Sequence, residues 1–315
     1  MNYCPITYRE CGDSDYSREG LRLLDTRLTH LSPLPFTAAE QRREAIRLSG
    51  KLSIQGMQPK LSAILSMKEE TFEPVEQYGR YILKPQHPDY PQLPENEGIT
   101  MQMARLTDLE VPLSGLVYSA DRSLTYFIRR FDRIGRRKKL AVEDFAQLSG
   151  EERSTKYHSS MEKVAGLVEK HCTFPAVEKL RLFQRTLFCW LTGNEDMHLK
   201  NFSIIRRDGK ITLSPIYDCL NSTAVYRTIG RNPKKTEELA LPLNGKKRNL
   251  TKRDFVDYYG FGRLGLSIKV VDSTLEKFSE VISNWLDLIE ISFLDETMKN
   301  HYREVVKHNA RILGI

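Results

Sequence analysis

The sequence lacks several features that would assign a protein of this size at once. No Cys-x2-Cys pair occurs, and the five cysteines, Cys4, Cys11, Cys172, Cys189 and Cys219, are scattered and odd in number. Neither a zinc site nor a disulfide framework is therefore indicated, and Cys189, inside an apolar helical stretch, reads as core. No apolar run approaches the ~18 residues of a membrane span. The polar start Met1-Asn2-Tyr3-Cys4 is unlike a signal peptide, so the expected compartment is the cytosol, with no membrane partner. There is also no Gly-x-Gly-x-x-Gly phosphate loop, no internal repeat and no low-complexity tract.

What is present is an ordinary soluble composition, 40% hydrophobic and 28% charged over 315 residues, enough for one bilobal unit or two domains. The net charge of +7 is concentrated in Arg129-Arg130, Arg133, Arg136-Arg137-Lys138-Lys139, Lys246-Lys247-Arg248 and Lys252-Arg253. Such clusters are either solvated loops or a face for DNA phosphates or an acidic partner, and no base-reading motif accompanies them.

The chain changes character near residue 130. Before it lie short β-type runs, Leu61 to Leu65, Tyr81 to Leu83, Leu116 to Tyr118 and Leu124 to Ile128, with one helix from Glu95 to about Asp108 that Pro94 can begin. After it, helical periodicity dominates. Leu180, Phe183, Leu187, Trp190 and Leu191 form one apolar stripe, and Leu275, Phe278, Val281, Ile282, Trp285 and Ile289 form another. The pattern predicts an α+β, bilobal fold, which the resemblance given below makes kinase-like. Residues 1–130 would form a β-rich lobe and 131–315 a mostly helical catalytic lobe, with a nucleotide cleft between them.

The chemistry is concentrated between Gly193 and Asp218. Asp196 is followed five positions later by Asn201. The run Phe202 to Ile205, a turn at Asp208-Gly209 and the run Ile211 to Leu213 then make a hairpin that ends near Asp218. Phosphoryl transfer needs a carboxylate to accept the proton of the attacking hydroxyl, and an Asn oxygen with a second carboxylate to hold Mg²⁺. Asp196, Asn201 and Asp218 supply them; the alternative is that Asp196 caps a turn and the other acids are turn residues. Upstream, Ser53-Ile54-Gln55-Gly56-Met57-Gln58-Pro59-Lys60 precedes a strand, where a loop lays backbone N–H groups on phosphates, though a plain surface loop has the same look. Lys84 ends a strand and Glu97 sits on the next helix. A lysine that grips phosphates and is fixed by a helical glutamate fits the same chemistry, an exposed strand-end lysine being the alternative.

In this order, Ser53 to Lys60, Ile82-Leu83-Lys84-Pro85, Glu95-Asn96-Glu97, Arg130-Phe131-Asp132-Arg133, Glu143-Asp144-Phe145, Gly193 to Phe202 and Pro215-Ile216-Tyr217-Asp218 resemble the HipA-type toxin kinases from about residue 50 onward. The resemblance implies a serine/threonine kinase toxin of a bacterial toxin–antitoxin module that uses ATP and Mg²⁺ to phosphorylate an aminoacyl-tRNA synthetase, which halts charging of one tRNA. It makes Asp196 the base, Asn201 and Asp218 the metal ligands, and Lys84 the phosphate-binding lysine. His198 would lie near the transferring phosphate. Phe131 would offer its backbone to adenine, with Arg129, Tyr217, Gln55, Gly56, Gln58, Lys60 and Glu97 completing the nucleotide site. Ser53 corresponds to the loop serine that these kinases autophosphorylate, which ejects the loop and stops ATP binding.

Two departures stand out. The family often has an acid where this chain has Arg129, so the adenine-side contacts differ. Only about fifty residues precede the loop, which resembles the short HipT-like branch, where a separate HipS-like protein supplies the missing subdomain; Gln55 occupies the site of that branch's second loop serine. The implied partners are that small protein, a HipB-like DNA-binding antitoxin, and DNA through the antitoxin complex. The implied location is the bacterial cytoplasm, with passage into another cell left open. The reading from another class is a catalytically silent DNA-binding subunit or corepressor, and a small-molecule kinase is a further enzyme alternative.

Overall fold

Strands form where β-branched and aromatic residues can face one core, and the first unit is assembled on that principle. The computed structural model describes residues 2–49, 58–135, 138–151, 155–231 and 237–315. Two compact units emerge, one built from residues 1–102, 112–138 and 290–294, the other from 103–111, 139–289 and 295–315.

The first unit opens with a small ladder, β1 (Asn2–Tyr3) and β2 (Glu10–Gly12), followed by helices α1 (Arg18–Leu24) and α2 (Ala38–Ser49). Its main sheet comprises β3 (Leu61–Ser66), β4 (Thr71–Pro74), β5 (Tyr81–Lys84), β6 (Ser114–Tyr118) and β7 (Leu124–Arg129), in the order β4-β3-β5-β7-β6. Every pairing is antiparallel, and Leu61, Leu83 and Phe127 stand directly opposite one another. These three join Cys4, Ile6, Leu21, Leu24, Leu28 and Phe72 in one core. Phe72 anchors it, with ring centroids 5.0 Å from both Tyr81 and Phe127. Because side chains alternate along a strand, Lys84 projects on the face opposite Leu83. Helix α3 (Leu93–Arg105) carries Pro94 in its first turn, as its sequence predicts, and ends somewhat short of Asp108. Two short strands follow, β8 (Arg133–Ile134) and β9 (Lys138–Lys139).

The second unit is mostly helical. Strand β10 (Val142–Asp144) leads into α4 (Phe145–Leu148), α5 (Met161–His171) and α6 (Pro175–Leu191). Strands β11 (Ser203–Arg207) and β12 (Lys210–Leu213) form the hairpin and complete a three-stranded sheet in the order β10-β11-β12. Helix α7 (Ser222–Thr228), a π-helical segment Asp254–Arg263, α8 (Ile268–Glu290) and α9 (Glu296–Leu313) finish the chain. The apolar stripe of α6 is buried at Phe183, Leu187, Trp190 and Leu191, and that of α8 at Leu275, Phe278, Trp285 and Ile289. Phe188 and Phe278 pack edge-on against Trp285, whose indole N–H donates to the Met103 carbonyl at 3.1 Å. Helix α9 starts at the Asp295 cap and stops at Gly314, whose φ of 73° is a left-handed conformation that glycine adopts without strain. Among the described residues no helix is long and apolar enough to cross a membrane.

Candidate functional site

Helix α6 ends at Thr192, and the chain reverses at Gly193 with φ +70°. The following loop holds itself together with local hydrogen bonds. The Asn194 side chain accepts from the Asp196 N–H at 3.1 Å, the His198 N–H donates to the Asp196 carbonyl at 2.9 Å, and Asn201 Nδ2 donates to that same carbonyl at 2.8 Å. The last bond orients the Asn201 amide, because spending Nδ2 on the loop leaves Oδ1 as the group available to a ligand. A single helical turn, Leu199–Asn201, then feeds β11.

The hairpin has the form that its sequence predicts. Arg207 pairs with Lys210, and Asp208 and Gly209 have φ of 50° and 76°, the two positive values that a two-residue type I′ turn requires. Its return brings Tyr217 back to the loop, where the phenol is hydrogen-bonded to the Ser203 hydroxyl and donates to the Lys200 carbonyl at 3.0 Å. Burial raises the Tyr217 phenol far above its ordinary value, so it stays protonated. Asp218 follows at φ +60°, a left-handed backbone that is uncommon for a residue with a side chain and frequent at functional positions.

Asp196 has an exposed side chain, whereas His198 is buried. The Tyr157 hydroxyl donates to Asp196 Oδ1 at 2.7 Å, and the Lys156 ammonium donates to His198 Nε2 at 2.6 Å. Burial holds the imidazole below its ordinary value; Lys156 pushes the same way and Asp196 opposes it. His198 is thus neutral and accepts at Nε2, which puts its proton on Nδ1. Nδ1 is buried without a hydrogen-bond partner among the described residues. Next to Asp196, burial pushes the Glu195 carboxyl up to about 7, even though Thr223 donates to it at 3.0 Å.

In the first unit, Lys84 and Glu97 come together as expected. Lys84 Nζ lies 2.5 and 2.7 Å from the two Glu97 oxygens, with the side chains 4% and 0% exposed, and 5.5 Å from the Tyr126 ring centre. Lys60 is half-buried just ahead of β3, and Gln58 is half-buried with a buried Nε2 that has no hydrogen-bond partner among the described residues. Ser53, Gln55 and Gly56 lie outside the described residues. Phe131 is half-buried in a turn flanked by Arg130 and Asp132, which pair through two bonds of 3.0 and 2.9 Å. The Arg129 guanidinium donates to the Leu23 and Leu24 carbonyls at 3.1 Å and to the Tyr81 hydroxyl at 3.0 Å, bonds that hold its own unit together.

Lys156 and Tyr157 escape sequence reasoning. They lie about forty positions before the loop they touch, in Thr155-Lys156-Tyr157-His158-Ser159-Ser160, a stretch without periodicity or motif. Among the described residues no group of three or more His, Cys, Asp and Glu side chains could hold a metal by itself. Mg²⁺ is a different case, held by one or two protein oxygens together with phosphates and water. An Asn oxygen and a carboxylate, both hard donors, fit the ion.

Comparison with known proteins places the chain in a family and a fold. The HipA-like C-terminal domain model matches residues 52–286. A protein of Haemophilus influenzae whose name marks it as a supposed kinase is 31% identical over 287 residues, 82% of each chain. The serine/threonine-protein kinase toxin HipA of Shewanella oneidensis is 29% identical over 191 residues, covering 54% of this chain and 43% of that relative. Among solved structures, a complex of Shewanella oneidensis HipA, HipB and operator DNA matches with a TM-score of 0.67 at 23% identity, over 91% of this chain and 74% of the other. The Helicobacter pylori proinflammatory kinase CtkA matches at 0.53 and 17% identity, over 74% and 86%. The fold is kinase-like α+β.

Proposed function

Because the chain belongs to the HipA-like C-terminal domain family of toxin kinases, we propose that it is an ATP-dependent serine/threonine protein kinase acting through Asp196. The observation that carries this reading is the loop from Asp196 to Asn201. One backbone carbonyl gathers the Asn201 amide and leaves its oxygen unspent, five residues from a carboxylate whose Oδ2 has no hydrogen bond among the described residues.

In this reaction Asp196 orients the hydroxyl of a protein serine or threonine and accepts its proton. The hydroxyl oxygen bonds to the γ-phosphorus as the bond to the β–γ bridging oxygen breaks, and ADP leaves. Lys84, held by Glu97, would grip the phosphates; Ser53 to Lys60 is the segment that the family resemblance assigns to the same phosphates, and Phe131 and Tyr217 are residues that it assigns to the nucleotide. Asn201 and Asp218 would hold Mg²⁺, which when bound offsets phosphate charge. His198, neutral with a proton on Nδ1, offers a donor near the transferring phosphate without adding charge.

The substrate class that the family resemblance supports is a serine of an aminoacyl-tRNA synthetase. The relative whose complex contains HipB and operator DNA supports a HipB-like antitoxin that carries the protein to DNA. Self-inactivation at Ser53 is supported by its correspondence to the loop serine that the family resemblance implies. The test is transfer of labelled phosphate from ATP and Mg²⁺ by the wild type and by Asp196→Asn. The expected outcome is loss of transfer by at least about a thousandfold with the thermal midpoint unchanged. Equal transfer by both proteins rejects the site. Transfer by neither, with DNA binding intact, favours the silent corepressor. Intact mass of the same samples shows whether one phosphate is added, and peptide mapping to any site other than Ser53 rejects the self-inactivation proposal.

A further inference from the structure

The catalytic loop is gripped from outside by two consecutive residues. Tyr157 donates to Asp196 Oδ1 at 2.7 Å and Lys156 to His198 Nε2 at 2.6 Å. The Tyr157 ring also meets the His198 ring edge-on at 5.1 Å, and the Leu199 N–H donates back to the Lys156 carbonyl at 3.3 Å. One dipeptide therefore holds the carboxylate, the imidazole and the backbone of the loop.

The need for this grip follows from exposure. The side chain of Asp196 is 52% exposed, and an exposed aspartate with a broad terminal torsion samples many orientations. A base has to sit within about 0.5 Å and 10–20° of its productive geometry. Tyr157 supplies the restraint on one oxygen. Among the described residues Oδ2 carries no hydrogen bond, so it is the oxygen left for an incoming hydroxyl.

We propose that Tyr157 is a positioning residue for the base, fixing Asp196 through Oδ1 so that Oδ2 receives the substrate proton, with Lys156 anchoring the adjoining His198 in the same grip. The proposal rests on Asp196 being the base. A competing possibility is that Tyr157 is a plug, donating to Asp196 where the substrate hydroxyl should and leaving when substrate arrives.

The experiment uses the full chain, labelled ATP with Mg²⁺, and dephosphorylated casein as acceptor, on the wild type, Tyr157→Phe, Asp196→Ala and the double variant. The Phe variant keeps the ring and its contact with His198 while removing only the donor. Its kcat should fall about ten- to a hundredfold, the loss expected from a base misplaced by a fraction of an ångström, with KM for ATP within about twofold of the wild type. In the Asp196→Ala background the same change should cost nothing further, because Tyr157 acts through that carboxylate. An equal loss in both backgrounds marks a merely structural role and overturns the proposal. Faster transfer by Tyr157→Phe identifies the plug and also overturns it. Unchanged kcat in an active enzyme overturns this proposal alone, whereas a wild type that transfers no phosphate overturns the kinase reading beneath it. Should Tyr157→Phe melt at a lower temperature, Lys156→Met, which leaves the donor to Asp196 in place, should still lower kcat with KM for ATP unchanged; no change there overturns the role of Lys156.

Discussion

Asp254 is buried, yet it collects hydrogen bonds from the Asn244 amide at 2.9 Å, from Lys246 at 3.0 and 3.2 Å, and from the Thr251 N–H and hydroxyl at 3.0 and 2.8 Å. Burial works against its charge, but the bonds from Asn244, Lys246 and Thr251 outweigh it and bring the carboxyl down to about 2. The sign follows from linkage. A depressed carboxylate stabilises the folded state above the unfolded value near 3.8, and that contribution is lost as pH falls through about 2. Asp254→Asn should therefore cost about 2 kcal/mol at pH 7, with the gap to the wild type closing toward pH 2. Urea unfolding across pH checks this, and a gap that stays constant with pH rejects it. Glu195 has the opposite sense. Its carboxyl, raised to about 7 by burial, binds a proton more tightly in the folded state, so its stabilising contribution is present below the unfolded value near 4.5 and disappears as pH rises through about 7. Glu195→Gln should flatten stability between pH 5 and 7, measured by the same titration; an unchanged slope rejects the assignment.

At the scale of elements, the turn from α6 into the loop depends on one glycine. Gly193 has φ +70°, and a Cβ placed there would lie 2.6 Å from Val305 Cγ1 and 2.7 Å from Asn221 Oδ1. That oxygen already caps α7 by accepting from the Ala224 N–H at 2.8 Å. Gly193→Ala should consequently strain the backbone, crowd α9 and disturb the α7 cap together. The expected cost is about 2–4 kcal/mol, from the left-handed conformation plus overpacking. A thermal midpoint within a degree of the wild type would show that Val305 and Asn221 yield more easily than the close approach implies. The hairpin was legible in advance because Asp208-Gly209 states its turn type in two letters, and β-branched residues flank it. The end of α3 was less so, since nothing in Arg105-Leu106-Thr107-Asp108 punctuates a helix as glycine or proline does, and boundaries without such residues are set by packing.

For the molecule as a whole, a net charge of +7 suggests a DNA-binding face, but several of the clustered cations already face carboxylates. Lys246 pairs with Asp254 at 3.0 Å, Lys247 with Glu237 at 3.1 Å and Arg253 with Asp257 at 3.6 Å. A cation already facing a carboxylate releases fewer counterions on meeting a phosphate. The isolated protein should therefore bind duplex DNA no tighter than about 1 µM at physiological salt, the range of non-specific association. Tight operator binding should appear only with a HipB-like partner. Retardation assays over a salt series, with and without that partner, decide the matter, and nanomolar binding by the kinase alone rejects it.

The sequence determined the chemistry on offer. Asp196, Asn201, Asp218, Lys84 and Glu97 are recognisable because their side-chain types suit the proposed reaction and their spacing along a loop, a hairpin, a strand and a helix is local. The apolar stripes of α6 and α8 were equally legible, since a period of 3.6 residues is written in the chain itself. Only the tertiary structure decided that Tyr157 and Lys156 hold the loop, that Arg129 donates to the carbonyls of Leu23 and Leu24, and that burial raises the Glu195 carboxyl to about 7. Each of these depends on which groups far away in sequence come within a few ångströms, and on how much water they exclude. Hydrogen bonds and desolvation act over distance in space, and residue types in order along a chain do not specify that distance until the chain has packed.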